Sequence, residues 1–201
     1  MSKHVDKSRI YYDKPADDYD TSYDGRFTLR FKLLLADFIS LEAGSRVPDI
    51  ACGNGTLLAI LNEKKPIAGY GVDISPQMIK NAAAKNPDME LHVADCENLP
   101  FDYNTMDIIT VCAAFHHFPN VDAFAAEAAR ALRAKGRLCI SEIYLPAPLR
   151  QMANLFLPLS KACDVKFYYA RENVNIFTRH GFEKTDFRRR SNVQIISMMK
   201  P

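Results

Sequence analysis

Apolar positions along the chain switch repeatedly between helical and strand spacing, and that switching predicts the architecture. Phe27, Phe31, Leu34, Leu35 and Phe38 recur at helical intervals, so the spacing predicts a helix over 26–39, with Asp24 placed to cap it. Ala43-Gly44-Ser45 then turns the chain into a first strand ending near Ile50. Leu57, Leu58, Ile60 and Leu61 predict a helix over 56–64, followed by a second strand over 67–72. Ser75 and Pro76 form a helix start, a hydroxyl cap with proline at the first helical position, and Asn86-Pro87 stops that helix. A third strand is expected over 89–94. The continuous apolar run 107–112 reads as a fourth strand buried on both faces. Asn120 caps a further helix that should run to a glycine stop at Lys135-Gly136, ahead of a fifth strand over 137–143. The chain closes with a helix over 171–180 and a hairpin of 182–189 with 193–199. Strands alternating with helices argue for a mostly parallel sheet covered on both faces, an α/β three-layer sandwich. Pro48 is a discord, because a central parallel strand needs every N–H and proline supplies none. Either pairing begins at Asp49 or the strand carries a bulge.

Composition narrows the classes without choosing among them. The 201 residues suit one domain with a substantial core. We divide it into an N-terminal arm (1–23), a core (24–143), a variable segment (144–181) and the terminal hairpin (182–201). Residues 1 to about 15 are polar and expected to be loosely ordered. A net charge of +2 gives no argument for nucleic acid. Arg188-Arg189-Arg190 reads as a solvated turn protecting a sheet edge. Five scattered cysteines, with no C-x-x-C pair, read as reduced thiols of a cytoplasmic protein. The polar start predicts no signal peptide, and no apolar run is long enough to cross a membrane.

The candidate chemistry lies at strand ends. After the first strand, Asp49-Ile50-Ala51-Cys52-Gly53-Asn54-Gly55 breaks into a two-glycine loop and then a helix. Ligands of open α/β sheets bind at such loops, glycine lets the backbone approach them closely, and the helix start offers unpaired N–H groups. Asp73 ends the second strand, about twenty residues after the loop, where a carboxylate can accept from the hydroxyls of a ribose. Asp95-Cys96 ends the third. His116 and His117 follow the fourth strand, so their loop overlooks the same crevice. Histidine titrates near neutral pH, and one of the pair is a candidate to take a proton from a substrate, His117 ahead of His116. Two adjacent histidines alone do not make a metal site, and none is expected.

These stretches together resemble the class I S-adenosylmethionine (SAM)-dependent methyltransferases, especially the small-molecule branch that includes the ubiquinone/menaquinone-biosynthesis enzymes. The resemblance covers about 24–199 and is densest over 46–143. It implies a Rossmann-like α/β/α sandwich whose seven-stranded, mostly parallel sheet ends in an antiparallel strand. It implies SAM as cofactor and S-adenosylhomocysteine (SAH) as product. The methionyl end would lie on the 49–55 loop (Asp49, Ala51, Cys52, Gly53, Gly55), the ribose on Asp73, and the adenine by Asp95 and Cys96. Ile74, Met78 and Cys112 would complete the cofactor site, with Tyr19 folding over it from the Tyr19-Asp20 element. In-line displacement at the sulfonium needs alignment rather than a nucleophile or a metal. The expected partner is a small-molecule methyl acceptor, and the expected state a monomer or homodimer. Glu142, near the end of the fifth strand, reads either as a neighbour of the acceptor pocket or as a solvated carboxylate. Leu149, Met152, Ala153, Phe156 and Leu159 form an apolar stripe suited to a lid over the acceptor, to an oligomer interface or to plain core. A nicotinamide-dependent oxidoreductase should carry a third glycine, where this chain has Leu58. A SAM- or SAH-binding regulatory subunit is the main alternative, because fold alone does not settle activity.

Overall fold

The computed structural model describes residues 3–13, 16–157 and 164–201. Seven strands form one sheet in the order β3-β2-β1-β4-β5-β7-β6. They are β1 Arg46–Ile50, β2 Ala68–Asp73, β3 Glu90–Val93, β4 Met106–Cys112, β5 Leu132–Ile143, β6 Glu183–Arg190 and β7 Val193–Met199. The first five run parallel, and β7 pairs antiparallel with both β5 and β6. The helices are α1 Lys3–Asp13, α2 Tyr23–Phe38, α3 Thr56–Lys64, α4 Pro76–Lys85, α5 Val121–Ala131, α6 Ala147–Phe156 and α7 Ala170–Thr178.

Side chains of successive strand residues point to opposite faces, and each face builds its own core. On one face Phe31, Leu35 and Ile39 meet Leu57 and Leu61 over Val47, Ile108, Cys139 and Ile195. On the other, Phe115, Phe124 and Phe177 pack over Ile109, Val111, Leu138, Ile140 and Ile196. The expected three-layer fold with an antiparallel last strand is the one observed.

Pro48 is accommodated by where its missing donor points. β1 pairs with β2 along its whole length, from Arg46 opposite Ala68 to Ile50 opposite Val72, but with β4 only at Asp49 and Ile50. The Pro48 carbonyl accepts from the Thr110 hydroxyl of β4 at 3.4 Å, so the N–H position of the same residue also faces β4. Just before it, the Arg46 N–H finds the Asp107 carboxylate at 2.7 Å instead of a backbone carbonyl. The first of the two alternatives therefore holds on the β4 side, without a bulge on the β2 side.

Three features differ from the expectation, and a fourth narrows it. The cap of α2 is Ser22, whose hydroxyl accepts from the Gly25 N–H at 3.0 Å, and Asp24 sits in the first turn. Helix α5 ends at Ala131, and the chain goes straight into β5, with Lys135 at φ +62°. Gly136 is therefore no helix stop; a Cβ there would meet the Arg133 carbonyl oxygen at 2.8 Å. The N-terminal arm holds α1, a helix that packs on α4. Finally, α6 buries none of its residues: Leu149, Met152 and Phe156 of the apolar stripe are exposed, and Leu159 lies outside the described residues. No described helix is long and apolar enough to cross a membrane.

Candidate functional site

Between β1 and β4 the strand order reverses, and a crevice opens there at the carboxyl ends of the strands. A cleft of about 980 Å³, open mouth included, occupies that position. Asp49, Ala51, Cys52, Gly53, Asp73, Ile74, Met78, Asp95, Cys96, Cys112 and Tyr19 all line it. Of the residues expected to touch a cofactor, only Gly55 does not. Its part is structural. It starts α3 at φ +74°, where a Cβ would come within 2.5 Å of the Asn86 amide nitrogen.

Backbone shape at the switch point is unusual. Ala51 and Ala113, which follow β1 and β4, both adopt left-handed φ, +56° and +52°. For a residue with a Cβ that conformation costs roughly 1–2 kcal/mol. It turns both chains sharply at the cleft wall, where ligand-binding sites often store strain.

Three carboxylates at consecutive strand ends set the electrostatics. Asp73 Oδ2 accepts from the Gly53 N–H at 2.8 Å and Oδ1 from the Ser75 N–H at 2.9 Å, which ties the glycine loop to the end of β2. Burial pushes its carboxyl up, and the two amides oppose that rise. An ionised carboxylate has about four lone-pair sites, so two remain for a ligand. Asp49 is fully buried; burial pushes it up to about 7, against the Thr110 hydroxyl at 2.7 Å and the Lys32 charge. Lys32, only 7% exposed, is the cationic side chain in this cleft, and burial lowers its pKa. Burial also raises the Cys52, Cys96 and Cys112 thiols, which keeps them protonated and poorly nucleophilic.

The Tyr19-Asp20 element folds over the loop. Tyr19 lines the cleft, and Asp20 accepts from the Asn54 amide at 2.8 Å and pairs with Lys85 at 2.7 Å. Asp13 of α1 accepts from the Ser75 hydroxyl at 2.5 Å, so the N-terminal helix is fastened beside Asp73.

A second cavity of about 720 Å³ adjoins the first. Tyr12, Tyr19, Thr28, Ala113 and His117 line both. His116, Glu142, Asp164 and Phe167 line the second alone. The histidines sit in a 3-10 turn, Phe115–His117. Glu142 near the end of β5 is 4% exposed rather than solvated. It accepts from the Phe115 N–H at 2.8 Å and from the His116 ring at 2.9 Å. Burial disfavours the His116 imidazolium, but Glu142 and then Asp164 outweigh it, and the net pKa is raised. His117 contacts Tyr12 Oη at 2.9 Å through Nε2 and Asp164 at 3.2 Å through Nδ1.

Sequence reasoning missed Lys32, Tyr12 and Asp164. Thr28 and Lys32 stand four apart on α2 beside the buried Phe31–Leu35 stripe, and that offset was the available signal for Lys32. Tyr12 and Asp164 had none, because each reaches the cavity from a segment with no regular pattern of its own.

Residues 48–140 match a protein family described as a methyltransferase domain. Over 168 residues the chain is 27% identical to the demethylmenaquinone methyltransferase of Renibacterium salmoninarum, covering 78% of this chain and 68% of that protein. Over 104 residues it is 33% identical to the phthiotriol/phenolphthiotriol dimycocerosates methyltransferase of Mycobacterium leprae, covering 50% and 38%. The shared stretch is thus well short of those relatives' full lengths. Among solved structures, a chain of the complex between the Haloferax volcanii Trm112 methyltransferase activator and a methyltransferase superposes with a TM-score of 0.82 at 19% identity, covering 99% of this chain and 98% of that one. That last likeness is one of fold.

Proposed function

Residues 48–140 match the methyltransferase-domain family, and from that match we propose that this chain transfers the methyl group of SAM to a small-molecule acceptor. The observation that carries the reading is the pair of adjoining cavities with shared walls. One is lined by the strand-end carboxylates, the other by polar groups that the first lacks.

In this reading the first cleft holds SAM. Asp73 accepts from the ribose hydroxyls while it holds the glycine loop. Asp95 and the Cys96 N–H meet the adenine edge, with Ile74 and Met78 against its faces. Asp49 takes the methionyl ammonium and Lys32 the carboxylate, so the buried pair is matched by a zwitterion of opposite order. Tyr19 closes over the cofactor. A cleft with three carboxylates and one lysine suits a ligand carrying an ammonium and a sulfonium against a single carboxylate.

The second cavity holds the acceptor. His117, common to both cavities, and His116, braced by Glu142, orient its polar end. Alignment of the acceptor atom behind the S–CH3 bond supplies the rate enhancement, up to about 7–11 kcal/mol. Transfer then proceeds by displacement at the methyl carbon, with SAH leaving.

Calorimetric titration of SAH into the wild type and Asp73→Ala tests this. The reading expects a one-to-one complex that Asp73→Ala weakens strongly. Affinity kept within about twofold would remove Asp73 from the site. Binding of SAH with no methylation of any hydroxyl-, amine- or carbon-acid acceptor in a broad screen would favour the regulatory-subunit alternative.

A further inference from the structure

Two imidazoles and a carboxylate converge beside the acceptor cavity, and we propose that His116, His117 and Asp164 bind a first-row divalent cation of the zinc–iron class. Asp164 Oδ1 lies 3.2 Å from His117 Nδ1 and 3.6 Å from His116 Nε2. The donor atoms of all three residues lie within 4.8 Å of one another. A cation held tetrahedrally by bonds of about 2.0–2.1 Å needs its donors about 3.3 Å apart. The two Asp164 separations already match that spacing closely, and the two ring nitrogens, within 4.8 Å of each other, need to close by at most about 1.5 Å.

The outer atoms of the rings support the same orientation. His116 Nδ1 lies 2.9 and 3.0 Å from the two oxygens of Glu142, and His117 Nε2 lies 2.9 Å from Tyr12 Oη. A ring that donates its far N–H to a carboxylate or hydroxyl presents the other nitrogen's lone pair inward, the usual arrangement around metal-ligating histidine. Glu142 is itself fixed by the backbone N–H groups of Phe115 and Ile143. The side chains of His116, His117 and Asp164 are each only 14–16% exposed, so water competes poorly for the donors.

The donor set selects the ion. Two imidazoles with one carboxylate suit zinc, iron or cobalt, whereas magnesium and calcium prefer all-oxygen sites. Three protein ligands leave a coordination position, and the three residues line the second cavity. An oxygen donor of the acceptor would take that position, so the histidines orient the acceptor through the ion. This last step rests on the methyl-transfer reading; cation binding itself does not. Adjacent histidines alone carried no such implication, since the third donor arrives only when 164–167 folds over the 3-10 turn.

The test is calorimetric titration of Zn²⁺, and visible absorption with Co²⁺, on the metal-stripped, tag-free full chain. The proposal expects one saturable ion per chain and the strong visible bands of a low-coordinate Co²⁺ site. Asp164→Ala and His116→Ala should each abolish that site, and Glu142→Gln should weaken it about 10- to 100-fold. The exposed pairs His92–Glu90 and His180–Asp122 are untouched by these changes and report adventitious binding. SAH titration of each variant checks that it is folded. No saturable binding to the wild type, or wild-type affinity in both alanine variants, overturns the proposal. A chain that takes SAH but no ion leaves methyl transfer standing without the metal. A chain that takes the ion but no SAH does the reverse.

Discussion

The two cavities share a wall, yet they are assembled by opposite means. The first is built around the ends of β1, β2, β3 and β4, so its three carboxylates, Asp49, Asp73 and Asp95, each lie within two residues of a strand end, and α2 and the turn before it add Lys32 and Tyr19. The second draws on α1, the 3-10 turn, the end of β5 and the 164–167 segment, which meet only in the folded chain. The contrast separates two tasks. A site built on strand ends inherits its geometry from the sheet and suits a constant cofactor. A site gathered from distant segments can change one segment at a time and suits a variable acceptor.

The largest expected effect falls on the first cavity. Asp73→Ala removes two charge-assisted bonds to the loop and β2 end as well as the proposed ribose contact, and should cost SAH binding about 3 kcal/mol, more than 100-fold, by calorimetry. Acceptor-side variants should leave SAH affinity within about twofold if the division of labour holds.

Asp49→Asn sharpens the comparison by opposing stability to function. Its carboxyl stands at about 7 in the folded protein against an ordinary 3.8, so the native state binds the extra proton and loses stability as pH rises between those values. The sign makes the buried charge a cost near neutral pH, of up to about 4 kcal/mol. Urea unfolding should show Asp49→Asn more stable than wild type at about pH 8 and nearly equal at about pH 4. The same variant should bind SAM more weakly, and wild-type SAM affinity should fall as pH drops below about 7.

Smaller effects test the scaffold and the second cavity. Gly55→Ala should cost about 2 kcal/mol in urea unfolding, because a left-handed φ and a Cβ clash with Asn86 act together. Gly53→Ala meets open space in the protein alone and should cost about 1 kcal/mol. In the metal-stripped chain, Glu142→Gln removes the carboxylate that raises His116, so the His116 imidazole should titrate at lower pH by NMR, with SAH affinity unchanged. An unshifted His116 would detach Glu142 from the second cavity's electrostatics.

The same contrast explains what was legible in the chain. Strand spacing and glycine placement located the first cleft closely, since a strand's end is a local property of sequence. Pro48 was visible as a conflict, but its resolution depended on which neighbour its missing N–H faces. Glu142 looked like a solvated strand-end carboxylate, and nothing local showed that the 3-10 turn would bury it. The helix over 121–131 looked longer because the alanine-rich stretch continues its pattern; pairing of Leu132 with Met106 claimed the next residues for β5. The α1 helix, with its polar sequence, gave no apolar stripe to read, yet its Tyr12 closes both cavities.

The most direct test of the central claim is thermal unfolding of the full chain alone and with SAM, SAH or NADH. At a ligand concentration about a hundred times the dissociation constant, native-state binding adds about 2.7 kcal/mol, a rise of about 5–10 °C for a chain of this size. The account predicts that rise with SAM and SAH and none with NADH. An unchanged midpoint with both sulfur nucleosides, or a rise with NADH instead, would contradict it.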